Sequence, residues 1–549
     1  MSADFQRLVR ELRHVLLWPV QIEPGFSGSD RVAFRDVLAG TAGNFVGRGP
    51  WQPLADEFTA DVGLFQERHY KEFVTFLPYV QRFLYGESRS VRRTPEDPPA
   101  EASVEVFRRQ DMAQLRIQLS PESAPLMLEI AHIDLYLFGD LDVAVLNVEL
   151  RATDLPLGEV LDLLHQFGRA YPTGWDAGGS GLRHVFKAEW LDHDGQVVVA
   201  SDSANKKKYL DFACRHRAPA VVAHWDHLLK PLVLDHSDEP GRFRYRLIEY
   251  YRMPFMAFLA MDEPQTLEHD TFIRLAQVSQ LRADDDIPAE MRLGFEARHC
   301  LDRYWVKGGK GAQSRFLLNG QSLLVVGDAH SPYFMDAEQG RLGQFRHQIF
   351  LLFLIAHMHR AALLSFSDYL SDTTNDLDVL STASTRRFKS RIRMTHERFL
   401  RFTHRYWFDE LSEHSLVQSL FQRTSAHLEN QRHYQNVREE LRDMSEYLEI
   451  EAQRRQSGTM MRLTVVTTFG LIGTVATGFL GMNLIAYADA PMVDRVLLFA
   501  LVIGGSALLT LFAVSRSSRL AELLEVLSNE RAGWHERLRA FTYPFRRRR

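Results

Sequence analysis

Two long runs without a charged residue constrain this chain more than any other feature. They are residues 463–481, LTVVTTFGLIGTVATGFLG, and residues 496–514, VLLFALVIGGSALLTLFAV. Each run is long enough to cross about 30 Å of hydrocarbon as an α-helix. Buried core helices rarely extend this far without an ionisable group, so the sequence predicts two membrane-spanning helices near its C-terminal end.

Basic residues flank the two predicted spans on the side away from their connecting loop. These residues are Arg454, Arg455, Arg462, Arg516 and Arg519. The connecting loop, residues 483–495, contains one Arg and two Asp. Because the cytoplasmic flanks of a span carry the excess of Lys and Arg, we expect both termini in the cytoplasm and a short loop outside.

The remaining sequence is typical of a water-exposed folded region. Residues 1–20 carry charges throughout and have no apolar core, so we do not expect them to act as a signal peptide. A third apolar run, residues 349–356, is too short to span a membrane and is predicted to be a buried helix. The net charge of −5 leaves no basic footprint, and no nucleic-acid partner is expected. Cys214 and Cys300 are expected to be reduced structural thiols.

Periodicity upstream of the spans predicts a mixed α/β fold. Strands are predicted at 14–24, 115–119, 126–138 and 141–150, a hairpin at 315–328, and a helix at 157–169 with Asp154 as its cap. We divide the chain into a mostly helical region 1–92, a mixed α/β domain 93–340, a helical part 341–424, a stalk helix 425–462, a two-span hairpin 463–515 and a basic cytoplasmic tail 516–549.

No constellation of residues indicates catalysis. Residues 307–314, KGGKGAQS, lack the spacing of a phosphate-binding loop. His357 and His359 would lie on different faces of a helix, a poor arrangement for chelating one metal ion. We therefore expect no enzyme activity, no catalytic residue and no prosthetic group.

The first predicted span carries a stripe that mixes apolar and small polar residues. Its members are spaced 3, 4, 4, 3 and 4 residues apart: Met460, Leu463, Thr467, Leu471, Thr474 and Gly478. A tight helix interface would explain the spacing, but the threonines favour a water-lined helix. Since two helices enclose no lumen, such a pore would need a cyclic oligomer.

A helical seam leads into this span. Val437, Leu441, Met444, Leu448 and Ala452 repeat at intervals of 4, 3, 4 and 4. We predict one helix from near residue 428 to residue 481, which would be ~80 Å long at 1.5 Å per residue. An autonomous coiled coil is the alternative.

The run MMRLTVVTTFGLIGTVATGFLGMN, residues 460–483, resembles the first transmembrane helix of the CorA-type divalent metal-ion transporters, the Gly-Met-Asn superfamily. A short loop, a second span and a basic C-terminus follow, as in that family. The resemblance implies a divergent bacterial member: a funnel-like homopentamer in the inner membrane. Mg²⁺ is the expected transported ion, with Co²⁺ and Ni²⁺. The alternatives are a Zn²⁺ transporter of the ZntB-like branch and a non-transporting, membrane-anchored scaffold or sensor.

The resemblance also implies roles for individual residues. Gly481, Met482 and Asn483 would form the outer selectivity filter, with the Asn483 amide oxygen facing the ion. Gly478, Thr474 and Thr467 would line the pore, and Leu471, Leu463 and Met460 would form an apolar stretch toward the cytoplasm. In the outer loop, Asp489 and Asp494 are the only acids; Asp489 would enrich cations at the mouth, or is simply a solvated acid. The arginines at 546–549 would bind lipid headgroups or set the topology.

Overall fold

The structure, a computed structural model, describes most of the chain. The described residues are 3–23, 29–40, 49–54, 67–86, 103–139, 141–249, 252–278, 286–306, 313–375, 382–481 and 491–515. The chain divides into two compact units, Met1–Leu441 and Arg442–Arg549.

The first unit is built on one mixed β-sheet. Its strands are β1 Leu8–Glu23, β2 Trp51–Pro53, β3 Val104–Arg109, β4 Gln114–Gln118, β5 Leu126–Phe138, β6 Val143–Ala152, β7 Leu155–Pro156, β8 Lys187–Leu191, β9 Val197–Ala200, β10 Val233–Leu234, β11 Arg244–Leu247, β12 Phe255–Met261, β13 Cys300–Tyr304, β14 Ser314–Leu318 and β15 Ser322–Asp328. The main path of the sheet has the order β13-β14-β15-β12-β1-β6-β5-β4-β8-β9. Neighbours on this path are antiparallel except β12 and β15, which are parallel.

The helices follow the same chain order. They are α1 Ser29–Ala39, α2 Glu67–Thr75, α3 Pro78–Tyr85, α4 Leu157–Gln166, α5 Lys206–His216, α6 Ala223–Leu229, α7 His269–Gln277, α8 Ala289–Arg292, α9 Phe295–His299, α10 Pro332–Met335, α11 Arg341–Gln344, α12 Phe350–Asn375, α13 Thr382–Arg405, α14 Ser415–His427, α15 Asn430–Gly481 and α16 Met492–Ser515. A π-helical turn, Phe345–Ile349, joins α11 to α12.

Strand β1 lies at the centre of the sheet and contains a proline. It pairs with β6 along one side and, on the other side, first with β12 and then with β11. The last β12 pair is Leu16 with Phe255, and the first β11 pair is Val20 with Leu247. Pro19 falls between them, where no partner strand needs the N–H that proline lacks. A proline is therefore tolerated in this central strand.

The sheet is covered on both faces. Leu12, Leu16 and Trp18 of β1 belong to a core that also contains α4 and α7 side chains. Val15 and Leu17 are equally buried but lie outside that core. Helix α12 packs against β1 and β6. Both faces of β1 are thus removed from water, in agreement with its nearly unbroken apolar sequence.

A close approach within the first unit requires a glycine. A Cβ on Gly327 in β15 would lie 2.1 Å from Cε2 of Phe334. The Phe334 ring is buried and stacks on Phe258, with the ring centroids 4.4 Å apart. Because β15 pairs with β12 and β14, its backbone is held on both sides, and a Cβ at position 327 would have to displace the Phe334 ring.

Buried charges form a network on β1, β5 and β6. The carboxylate of Glu149, 2% exposed, accepts hydrogen bonds from Arg346 Nε at 2.9 Å and from Arg13 Nη1 at 3.4 Å. His132 Nδ1 lies 3.4 Å from the same carboxylate, and burial lowers the pKa of His132. The network satisfies a carboxylate that would otherwise be costly to bury.

The predicted elements of the α/β region agree with the structure. The predicted strands 14–24, 115–119 and 141–150 overlap β1, β4 and β6 with ends that differ by one or more residues, and residue 24 lies outside the described residues. The predicted strand 126–138 coincides with β5, and the predicted hairpin 315–328 is formed by β14 and β15. The described residues of region 1–92 contain α1 to α3, the central strand β1 and the short strand β2. The proposed domain boundaries at 92 and 340 stay predictions.

The predicted cap of α4 was wrong. Pro156 occupies the N-cap position, without a side-chain cap. Asp154 adopts a positive φ of 54° and accepts a hydrogen bond from Arg10 Nη1 at 3.0 Å. An arginine from β1, distant in sequence, therefore competes with the local capping role of Asp154.

Residues 349–356 form part of a buried helix, as predicted. Among the described residues, one helix passes a length and hydropathy test for crossing a membrane, Arg341–Asn375, and 89% of its most apolar window is buried in the protein. Its apolar side chains pack in the first unit. The spans at 463–481 and 496–514 stay predictions.

Candidate pore-lining helix

Helix α15 is a single continuous helix of 52 residues, Asn430–Gly481. The sequence predicts a helix from near residue 428 to residue 481, and this prediction is confirmed. The Gly458 position does not interrupt it. A helix this long places the seam around residue 440 and the stripe of residues 460–478 on one element.

The predicted seam is buried only at its beginning. Val437 and Leu441 are buried, Met444 and Leu448 are half-buried, and Ala452 is exposed. The first turns of α15 are thus anchored in the first unit by their own chain. The remainder of the seam is only partly buried or exposed in the described part of the chain.

The stripe is exposed along its whole length. Leu463 and Leu471 are 59% and 68% exposed, and Met460 is 57% exposed. Thr467, Thr474 and Gly478 are exposed as well. Burying a leucine or methionine side chain contributes roughly 1.5–3 kcal/mol. The exposure of Met460, Leu463 and Leu471 is therefore unfavourable in bulk water, and the same holds for other exposed apolar side chains of α15 such as Val466.

Three described threonines of α15 donate hydrogen bonds within the helix. Thr467 Oγ1 donates to Leu463 O at 3.0 Å, Thr474 Oγ1 to Gly470 O at 2.7 Å, and Thr477 Oγ1 to Gly473 O at 2.8 Å. Each hydroxyl oxygen keeps acceptor capacity directed away from the helix. Such oxygens can accept hydrogen bonds from water.

Small residues leave open space along both C-terminal helices. A Cβ added to Gly478 of α15, or to Gly504 or Gly505 of α16, would meet no atom within 4 Å. Neither conformation nor packing within one chain requires glycine at these positions. Glycines at such positions permit the close approach of another helix.

Part of the predicted site lies outside the described residues. Gly481 is the last residue of α15, while Met482, Asn483 and Asp489 are not described. Asp494 is exposed in the first turn of α16, where the positive end of the helix dipole favours an acid. The structure thus places Met460, Leu463, Thr467, Leu471, Thr474 and Gly478 on one helix, and their pore-lining role stays a prediction. The filter stays a prediction.

The comparison with protein families covers this region. Residues 359–516 match the family model described as CorA-like Mg²⁺ transporter protein. This part of the chain is a CorA-like domain. That family implies a membrane protein, divalent-cation transport rather than enzyme chemistry, and an oligomeric assembly.

Two further comparisons add little to the family match. The chain matches the structure of the full-length CmaX protein at 16% sequence identity, with a TM-score of 0.19, over 52% of this chain and 91% of that chain. At this TM-score the likeness carries no argument. No curated protein matches the sequence.

The CorA-like domain begins earlier than the sequence motifs indicated. The motifs identified the resemblance over residues 425–515, whereas the match starts at residue 359, within α12. The domain therefore includes α13 and α14, which have no motif of their own. Their apolar spacing predicts helices but does not distinguish one helical family from another.

The sequence patterns also gave no prediction of an aromatic stack at the N-terminal end of α15. The rings of His359, Trp407 and Tyr434 stack in series, with centroid separations of 4.8 Å and 4.5 Å. His359 Nε2 donates to Tyr406 O, and burial lowers its pKa to about 4. His359 is therefore a neutral core residue. The spacing of these residues in sequence gives no signal of the stack.

Proposed function

We propose that this chain is the subunit of a homopentameric channel that conducts divalent metal cations across the bacterial inner membrane, with Mg²⁺ as the principal ion and Co²⁺ and Ni²⁺ as further substrates. The observation that carries the proposal is the exposed stripe of α15 inside the CorA-like domain. In this assembly, five α15 helices surround one axis. Lipid and neighbouring subunits cover the apolar surface that one chain leaves open.

The stripe suits a hydrated cation. The Thr467 and Thr474 hydroxyl oxygens accept hydrogen bonds from the water shell of the ion, because their own protons are already bonded to the helix backbone. Leu463 and Leu471 form apolar rings that close the pore by dewetting. Small polar and apolar rings thus alternate along one path.

The filter acts on an ion that keeps its water. Mg²⁺ sheds water reluctantly and favours octahedral oxygen coordination. Five neutral Asn483 amide oxygens bond to that water shell without trapping the ion, whereas a ring of carboxylates would bind it too tightly for conduction. Gly481 permits the turn that places these amides at the mouth.

The membrane potential supplies the driving force. It is worth about 2.3 kcal/mol per elementary charge per 100 mV, hence about 4.6 kcal/mol for a divalent cation. A nucleotide-driven motor is unnecessary for uptake. This agrees with the absence of a phosphate-binding loop at residues 307–314 of the sequence.

The deciding experiment is cation flux into liposomes that hold the purified protein. Mg²⁺, Co²⁺, Ni²⁺ and Zn²⁺ are compared, each with and without a pH gradient. We expect Mg²⁺ uptake that follows the membrane potential, that Asn483→Ala abolishes or makes unselective, and that Asn436→Ala leaves unchanged. Asn436 is an exposed residue of α15 outside the predicted span and serves as the matched control.

Other outcomes favour the alternatives. Zn²⁺ uptake that depends on the pH gradient identifies the ZntB-like mode. No flux of any cation, with metal-dependent growth unaffected by Asn483→Ala, identifies a scaffold or sensor. An assembly in which Asn483 faces lipid contradicts the proposed filter.

A further inference from the structure

Arg341 is a buried cation at the start of the helical stretch Arg341–Asn375. It is 3% exposed, and no carboxylate in the described part of the chain pairs with it. Burial lowers the pKa of Arg341, and only the phenols of Tyr333 and Tyr304 oppose this shift. The positive end of the helix dipole adds to the unbalanced charge at this position. A buried cation without a counter-charge is costly, so the site favours an anion.

Hydrogen bonds engage only part of the Arg341 guanidinium. Its Nε donates to Ser314 Oγ at 3.1 Å, and its Nη1 donates to Gln344 Oε1 at 2.6 Å. Nη2 donates to no atom of the described residues, and it keeps some contact with solvent. This nitrogen carries two N–H groups. Charged donors of Arg341 therefore remain for a group that comes from solution.

Three aromatic rings lie near the guanidinium. Its Cζ is 5.0 Å from the ring centroid of Tyr304, 5.2 Å from that of Phe316 and 5.8 Å from that of Tyr333. The two tyrosines are 42% and 45% exposed, so the site reaches the protein surface. Tyr333 Oη accepts a hydrogen bond from Gln344 Nε2 at 3.4 Å, and the Gln344 side chain thus links this phenol to the guanidinium. The hydroxyl proton of Tyr333 has no acceptor among the described residues and stays available.

A second buried arginine has the partner that Arg341 lacks. Arg315 is 6% exposed, and its Nε and Nη2 each donate to the Asp302 carboxylate at 2.9 Å. Asp336 is close to Arg341 in sequence, but its Oδ1 accepts hydrogen bonds from two backbone N–H groups of its own turn. The counter-charge of Arg341 must therefore come from outside the described residues.

We propose that Arg341 binds a phosphate group, with the Nη2 donors and the Tyr333 hydroxyl as its ligands. Each edge of the guanidinium already has one nitrogen bonded to the protein, either Nε or Nη1. A planar carboxylate is bound best by two nitrogens of one edge, so it fits poorly here. A tetrahedral phosphate accepts from Nη2 with one oxygen and from the phenol with another. Its source is inorganic phosphate in solution or the headgroup of a lipid.

The test is a calorimetric titration of the full-length protein in detergent, in metal-free buffer at constant ionic strength. Inorganic phosphate, acetate and dioctanoyl phosphatidic acid are the probes, and dioctanoylglycerol controls for the acyl chains. We expect saturable binding of a phosphate probe and none of acetate. Tighter binding of inorganic phosphate identifies a solute, and tighter binding of phosphatidic acid identifies a lipid headgroup. Because binding is measured without flux, its outcome is independent of the proposed transport function.

Three variants assign the binding to this site. Arg341→Lys keeps a cation but removes Nη2, and it should weaken binding about tenfold, as expected for the loss of one charge-assisted hydrogen bond. Its fold is checked by tryptophan fluorescence because position 341 is buried. Tyr333→Phe keeps an exposed ring, should fold like the wild type and should weaken binding about threefold. Tyr70→Phe, at an exposed tyrosine of α2, is the matched control and should leave the affinity unchanged.

Three results overturn the assignment. The first is an affinity for acetate equal to that for inorganic phosphate. The second is equal phosphate affinity in Tyr333→Phe and the wild type. The third is no saturable binding of inorganic phosphate below about 10 mM together with equal affinity for phosphatidic acid and dioctanoylglycerol.

Discussion

Two leucines of α15 allow a test of whether the stripe lines a pore. Leu441 is 2% exposed, whereas Leu471 is 68% exposed. Truncating a buried leucine to alanine costs about 2–5 kcal/mol, whereas most exposed substitutions change stability by less than about 0.5 kcal/mol. We therefore expect Leu441→Ala to lower the free energy of unfolding of the first unit by about 3 kcal/mol, and Leu471→Ala to leave it unchanged.

The assay is denaturant unfolding followed by tryptophan fluorescence. Seven of the eight tryptophans lie within residues 1–441, so the signal reports the first unit. Flux and oligomeric mass are measured on the same preparations. If Leu471 belongs to an apolar gate, its truncation widens the gate. A barrier lowered by only about 1.4 kcal/mol raises flux about tenfold.

Two results would refute the reasoning. Equal loss of stability in both variants would mean that Leu471 is buried by its own chain. A fall in oligomeric mass with unchanged flux through the remaining assemblies would mean that the stripe is a packing face rather than a pore lining.

Three further predictions concern the first unit. Gly327→Ala should lower the free energy of unfolding by about 3 kcal/mol, because its Cβ would overlap Phe334. When Gly327→Ala is combined with Phe334→Leu in a double-mutant cycle, the two losses of free energy should be less than additive. Additive losses would contradict the overlap. Arg346→Met should lower the free energy of unfolding by about 3 kcal/mol because it leaves Glu149 buried with fewer partners. Arg393→Met, which removes an exposed ion pair with Glu397, should change the free energy of unfolding little. Equal losses in the two variants would argue against the network. Burial lowers the pKa of His357 to about 3. As the pH falls below about 6.5, His357 is therefore protonated in the unfolded state but not in the folded state. This residue alone should then lower the free energy of unfolding by about 1.4 kcal/mol per pH unit. His357→Leu should reduce the slope of stability against pH between 6.5 and 5, and an unchanged slope would show that other groups control it.

Sequence patterns predicted the helices and strands that are defined by the spacing of apolar residues within one short segment. The apolar alternation of residues 126–138 and the uninterrupted helical spacing into residues 463–481 are local signals, and the structure has β5 and α15 there. The order of strands could not be predicted, because β1 meets β12 and β6 through pairings separated by more than a hundred residues. The failed cap at Asp154 has the same origin, since its partner Arg10 comes from β1.

The candidate sites divide in the same way. The stripe on α15 could be predicted because one helix carries all its members at a fixed period. The aromatic stack could not, because His359 lies on α12, Trp407 on the segment after α13 and Tyr434 on α15. No periodicity relates residues on three separate elements.

The central place of β1 has a consequence for synthesis. Leu16 pairs with Phe255, so one long edge of β1 has no partner until that part of the chain has left the ribosome. At about 5–20 residues per second, this interval is roughly 10–50 s. During that time other nascent chains could pair with the unpaired edge of this apolar strand. We expect a chaperone, or another strand of the same chain that pairs transiently, to cover this edge. Residues 463–481 emerge later still, so the sheet can close before either predicted span has been synthesised.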